Sequence, residues 1–290
     1  MHVPAAPNAP VYLLTLSCPD RIGIVADVSR FLVDHACNIA ESAQCGDQAN
    51  GRFFLRTAFT AAAPVALDRL RAEFDPIAQK FDMQVQFHDQ RLRVRTLVMV
   101  SRFGHCLNDL LFRYQIGALP IDLRAIASNH PDFAGVAANS NVPFHHLPVS
   151  RDTRAEQERA LLDIIQRESV ELIVLARYMQ VLSPEFCALF PGRIINIHHS
   201  FLPSFRGARP YHQAWLRGVK LIGATAHYVT DVLDEGPIIE QAVERVHHNL
   251  SADDYVGVGR DVESLVLARA VKWHAEHRIL LNGRRTVVFQ

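Results

Sequence analysis

Val94-Arg95-Thr96-Leu97-Val98-Met99-Val100 is the stretch that decides the architecture. Five of its seven residues are apolar, and the run is short, so it reads as a strand buried on both faces. Similar apolar runs recur downstream at 121–127, 171–175 and 192–197, with helix-spaced segments at 106–115, 153–168 and 209–217. Strands alternating with helices imply a mostly parallel, doubly wound sheet of Rossmann-like α/β type. In that architecture loops converge on a ligand beyond the carboxyl ends of the strands. A long helix over about 253–280 is predicted to close the domain.

Upstream of Val94 the polar run His88-Asp89-Gln90-Arg91 reads as a linker. Before it, an apolar strand at 11–17 ends at Pro19-Asp20, and Ile22, Val25, Val28, Phe31 and Leu32 follow at helical spacing. Two strands at 38–44 and 51–59 flank the turn-formers Gly46, Asp47, Asn50 and Gly51. A second helical pattern at 65–81 and an alternating strand at 83–87 complete a βαββαβ order, the split βαβ arrangement of ferredoxin-like domains. The predicted organisation is a ferredoxin-like domain at 8–88, a linker at 89–93 and an α/β domain at 94–290.

Two domains suit 290 residues, and 49% hydrophobic with 21% charged residues is an ordinary globular composition. Thirty Lys plus Arg balance thirty Asp plus Glu, so nothing draws the chain toward nucleic acid or a membrane surface. A small molecule is the expected partner. Five scattered cysteines without a C-x-x-C pair argue against a disulfide framework and a thiolate zinc site. No apolar run approaches the roughly 20 residues of a membrane span, and no signal-peptide core opens the chain. Reduced thiols and a cytoplasmic location are expected.

The densest chemistry lies in RIINIHHS at 193–200, where apolar strand becomes polar loop. Asn196 and His198 stand two apart and share one strand face, so an amide and an imidazole donor can converge on one carbonyl oxygen. The second cluster, GATAHYVTDVLDEGP at 223–237, places Asp231, Asp234 and Glu235 in one turn. Any of the three can serve as a general base, and chain spacing does not choose between them. On its own an Asn-x-His pair is more often a hydrogen-bonded strand end, and an acidic turn a solvated loop. His198, His199, His212 and His227 lack the i,i+4 spacing of a helical metal pair, so no metal is expected. The pairs His145-His146 and His247-His248 are expected at the surface, and Cys106 beside His105 is expected to pack.

NIHHSFLPSF (196–205), LARYMQVLSPEF (175–186) and GATAHYVTDVLDEGPIIEQ (223–241) make residues 93–290 resemble the folate-dependent formyltransferase family. The resemblance implies a catalytic trio of Asn196, His198 and Asp234, with Asp231 and Glu235 as loop residues. It also implies a pterin pocket between Met179, Gln180, Val181 and Leu182 on one side and Val229, Thr230 and Asp231 on the other. Residues 11–88 resemble an ACT domain, with CPDRIGI (18–24) as its strand-to-helix turn. That implies an amino-acid effector, glycine or methionine, near Asp20, Arg21, Ile22, Gly23 and Asn38, and a homo-oligomer.

The segment SRFGHCLNDLL (101–111) stands where transferring members of the family carry a small-residue loop for the acceptor's phosphate. Bulky Arg102, Phe103, His105 and Cys106 leave no phosphate nest there. Together with the 205–214 loop this implies a hydrolytic branch acting on 10-formyltetrahydrofolate, with water as second substrate. The products would be formate, supplied to purine biosynthesis, and tetrahydrofolate, with no metal or redox cofactor. Two alternatives stay open. One is transfer to a nucleotide amine, with Arg102, Arg206 and Arg209 available to an anionic acceptor, and the other is an amino-acid-sensing, folate-binding regulator. His199 has no assigned role.

Overall fold

The computed structural model describes residues 11–61, 65–202 and 210–290. By contacts the chain divides into two compact units, one reaching to Arg93 and joined by 276–282 and 287–290, the other comprising Val94–Ala275 and Gly283–Thr286.

The first unit runs β1 (Val11–Pro19), α1 (Ile24–Asp34), β2 (Cys37–Asp47), β3 (Arg52–Ala61), α2 (Leu67–Phe81) and β4 (Gln84–Asp89). Its sheet is antiparallel in the order β2-β3-β1-β4. Alternation decides the faces: Leu14 and Leu16 of β1, Leu55 and Phe59 of β3 and Phe87 of β4 point to one side. There they meet Ile24, Val28, Phe31 and Leu32 of α1 and Leu70, Phe74, Ala78 and Phe81 of α2, each helix contributing residues three and four apart. Phe74 is the hub, edge-on to Phe31 at 4.9 Å and to Phe87 at 5.6 Å between ring centroids. On the opposite face Arg56 is fully buried and donates to Glu41 Oε1 and to the Glu276 carbonyl, both at 3.2 Å.

The second unit begins with β5 (Val94–Val100), α3 (His105–Gln115), β6 (Ile121–Ser128), α4 (Ala134–Asn139), β7 (Phe144–His146) and α5 (Arg154–Arg167). It continues through β8 (Leu172–Leu175), α6 (Pro184–Ala188), β9 (Ile194–His198), α7 (Pro210–Arg217), β10 (Leu221–Tyr228), β11 (Ile238–Arg245) and α8 (Ala252–Ala275). The sheet order is β11-β10-β9-β8-β5-β6-β7. Strands β5 to β9 are parallel, whereas β10 runs antiparallel to both β9 and β11. From β5 the chain winds to β6 and β7 on one side and then crosses to β8 and β9 on the other, so the order reverses between β5 and β8. This makes a doubly wound, mostly parallel sheet with a switch point at its centre.

Three expectations need correction. The closing helix ends at Ala275 rather than near 280, because His277 adopts φ +51° and the chain turns into a hairpin of β12 (Ile279–Asn282) and β13 (Arg285–Val288). The signal was Gly283, which opens the two-residue turn Gly283-Arg284 at φ +61°, as a hairpin matched to strand twist requires. The expected span 94–290 is not one compact unit, because residues 276–282 and 287–290 cluster with the first. His145, expected at the surface, is half-buried on β7, where burial lowers its pKa. Among the described residues no helix is long and apolar enough to cross a membrane.

Candidate active site

Asn196 and His198 project from the carboxyl end of β9 into a cavity of about 480 Å³. His198 is buried, and its Nδ1 lies 3.2 Å from Asp234 Oδ1. With Nδ1–H directed at the carboxylate, Nε2 is left buried and without a partner among the described residues. Burial opposes ionisation of Asp234, but the hydrogen bond and charge of His198 hold its carboxyl below the usual range. The turn that presents Asp234 is tightly drawn. Asp234 has φ +57°, Val229 donates to Ile194 O at 2.9 Å, and Tyr228 donates to Pro237 O at 2.9 Å.

His227 completes the group and was considered from sequence only as a metal ligand. It sits on β10 directly across from Asn196, and Asn196 Nδ2 is 3.2 Å from its Nε2. Its Nδ1 lies 2.9 Å from the Tyr228 carbonyl, which only accepts, so Nδ1 carries the proton and Nε2 accepts from the Asn196 amide. Burial lowers the pKa of His227 and keeps it neutral in this role. The rotamer of Asn196 is thereby fixed, with its second amide hydrogen free. Finding His227 required the β9/β10 register, which no single-strand pattern carries.

The remaining predicted residues divide clearly. Met179, Gln180, Val181 and Leu182 line one side of this cavity, and Val229, Thr230 and Asp231 line the other. Met179 and Val181 are half-exposed, whereas Leu182 is buried. Glu235 points away and pairs with Arg284. Arg206 and Arg209 lie outside the described residues. Asp20, Arg21 and Ile22 are exposed at the β1–α1 turn, with Gly23 at φ +101° beside them. Asn38 is not brought to them. It pairs with Thr60, which pairs with Val11 at the far end of β1, about 26 Å along the sheet by strand rise. One protomer therefore does not assemble these five residues into a single site.

Behind His198 lies a buried polar cluster that sequence reading also missed. Glu263 of α8 accepts from Tyr211 Oη at 2.8 Å and lies 2.7 Å from His105 Nε2, with Arg177 Nε 3.4 Å away. Its carboxyl is held low: burial opposes ionisation, but the His105 hydrogen bond and the Arg177 charge prevail. The cue was a carboxylate on the buried face of α8 among Val262, Val266 and Leu267. His105, Cys106 and Glu263 offer ligand atoms within 4.8 Å of one another. That donor set suits a metal poorly: Arg177 already supplies a cation, and burial pushes the Cys106 thiol far up, keeping its proton. His199 adjoins this cluster, and burial followed by the Arg177 charge pushes its pKa down to about 4.

Sequence models for a formyl transferase match residues 94–271, and for an ACT domain residues 12–75. The formyltetrahydrofolate deformylase of Corynebacterium sp. is 52% identical over 280 residues, covering 96% of this chain and 98% of its own. The chain belongs to the formyltetrahydrofolate deformylase family. A solved deformylase from Burkholderia mallei superposes with a TM-score of 0.93 at 55% identity, covering 97% of this chain and all of that one. Glycinamide ribonucleotide transformylase 1 from Symbiobacterium toebii gives 0.64 at 31% identity, covering 97% of itself but 70% of this chain. The deformylase family thus accounts for both units, whereas the transformylase leaves nearly a third of the chain unmatched.

Proposed function

We propose that the cavity over Asn196, His198 and Asp234 hydrolyses 10-formyltetrahydrofolate to formate and tetrahydrofolate. One observation carries this reading: a buried imidazole has one nitrogen on an ionised carboxylate and the other unsatisfied, beside an amide fixed to share its face. The cavity volume falls within the roughly 300–1,000 Å³ of small-molecule sites, and its apolar side chains Met179, Val181, Leu182 and Val229 suit a flat heteroaromatic ring.

The formyl oxygen sits against Asn196 Nδ2 and His198 Nε2. With His198 as imidazolium and Asp234 its counter-ion, both donors face the oxygen where charge develops. Water attacks the formyl carbon, and Asp234 orients it and takes a proton. The tetrahedral intermediate collapses with cleavage of the C–N bond, N10 receives the proton taken by Asp234, and formate leaves as its remaining hydroxyl proton passes to solvent. Every atom of both products comes from the folate and one water, and no step uses a metal or redox cofactor.

The wider reading places the enzyme in the cytoplasm, supplying formate to purine biosynthesis, with glycine or methionine acting on the ACT unit. Because residues 20–23 and Asn38 lie at opposite ends of one sheet, an effector touching both requires a second protomer, consistent with a homo-oligomer. Purified protein incubated with 10-formyltetrahydrofolate alone should release formate. A strict requirement for an added amine would replace hydrolysis by transfer.

A further inference from the structure

Arg177 has no part in the mechanism above, yet it lines the same cavity as Asn196, His198 and Asp234. The chain leaves β8 after Leu175, and a tight turn closed by Arg177 N on Leu175 O at 3.1 Å brings the guanidinium to this cavity, near enough to His199 for its charge to act there. The Arg177 side chain is only 10% exposed, and its Nε and Nη1 are buried without hydrogen-bond partners among the described residues. The nearby carboxylate does not satisfy it, because Glu263 is engaged by His105 and Tyr211 and its Oε2 stays 3.4 Å from Arg177 Nε. Phe103, 5.4 Å from the guanidinium carbon, covers the group without offering an acceptor.

The backbone bears a cost to hold it there. Arg177 has φ +62°, a conformation unfavourable for a residue with a side chain, and its carbonyl accepts from Ser101 N at 3.3 Å. A strained, buried and under-bonded guanidinium beside the reacting centre is a receptor for a planar anion. Of the species formed there, formate is the small carboxylate. Neutral His199 alongside adds no competing cation.

We infer that Arg177 recognises the carboxylate of the departing formate, an inference that rests on the hydrolytic reading. Formate is titrated as a product inhibitor of turnover in the wild type, Arg177→Gln and Arg177→Lys, each checked for a native circular dichroism spectrum. The inhibition constant should rise about 10- to 100-fold in Arg177→Gln, the usual worth of a charge-assisted contact. It should rise less in Arg177→Lys, which keeps the charge and loses the planar fork. An unchanged constant in a folded variant overturns the proposal, as does wild-type protein that formate does not inhibit. If Arg177→Gln does not fold, Arg177→Lys decides on the same criterion. Line-broadening of ¹³C-formate by the wild type and the variants reads the anion site without turnover, so loss of hydrolysis and loss of the site are separable results.

Discussion

Gly236→Ala should disable the enzyme through a single methyl group placed two residues from the carboxylate it displaces. A Cβ at Gly236 would stand 1.7 Å from the Tyr228 carbonyl oxygen and 2.8 Å from its carbon, both backbone atoms held in strand β10. To reach a tolerable separation the turn must retreat by at least about 1.3 Å, since packed interiors do not yield such distances locally. The same turn carries Asp234, whose contact with His198 Nδ1 is already 3.2 Å, the long end of hydrogen-bond range. A shift of that size breaks the contact. Misplacement by about 1 Å costs on the order of 100-fold in rate, and overpacking costs about 1–3 kcal/mol of stability. Steady-state formate release and thermal unfolding measured together separate the two effects, and the expected result is a folded protein with kcat reduced about 100-fold. A folded Gly236→Ala enzyme with near-wild-type kcat would refute the claim that the close approach of Gly236 to Tyr228 positions Asp234.

Asp234→Asn keeps shape and removes charge, so formate release should fall about 10²- to 10⁴-fold with folate affinity retained. Equilibrium folate binding and single-turnover rates check this, and full activity would return the catalytic carboxylate to Asp231 or Glu235. Stability should fall as pH drops from about 6.5 toward 4, because His199 and His227 are buried neutral and an unfolded imidazole takes up a proton first. Their contribution is present above the unfolded pKa and lost below it, so His199→Asn should flatten the decline in melting temperature over that window. Phe74→Ala removes the hub of the first unit's core and should cost about 3–5 kcal/mol in denaturant unfolding, with the second unit's cavity unaltered.

What was legible in the sequence had local causes. The βαββαβ order was readable because Phe31, Phe74 and Phe87 fall on single-element periodicities, and β5, β6, β8 and β9 because each is a short, mainly apolar run. Asn196 and His198 were legible as a pair because strand geometry fixes neighbours two apart. The edge strands were less so: β11 carries Glu240, Gln241 and Glu244 and loses its apolar signature where its face meets water. The terminal hairpin was absorbed into α8 because Ile279, Leu280 and Leu281 satisfy helical and strand patterns alike. The roles of His227 and Arg177 were hidden because the first depends on the register of β10 against β9 and the second on the tight turn that follows β8. The choice of Asp234 among three carboxylates came from family resemblance, and its geometry depends on a turn that spacing alone does not describe.

That turn follows from the one reversal of direction near the site. Because β10 runs antiparallel to β9, its chain leaves beside Ile195, the amino end of β9, whereas His198 stands at the carboxyl end. To bring Asp234 to His198 the segment must climb back along the strand. From Ile194, bonded by Val229, to His198 is about 13 Å of strand, and the five steps from Val229 to Asp234 span at most about 17 Å. The segment bends at Asp231 and Val232 and closes a turn with Glu235 N on Val232 O at 3.4 Å, and Val229, Thr230 and Asp231 within it form a wall of the cavity. The chain must then return to bond Tyr228 through Pro237, about 10 Å in three residues. The reversal falls at the turn around Asp234, and the left-handed backbone at Asp234 together with the bare Cα of Gly236 is what permits it.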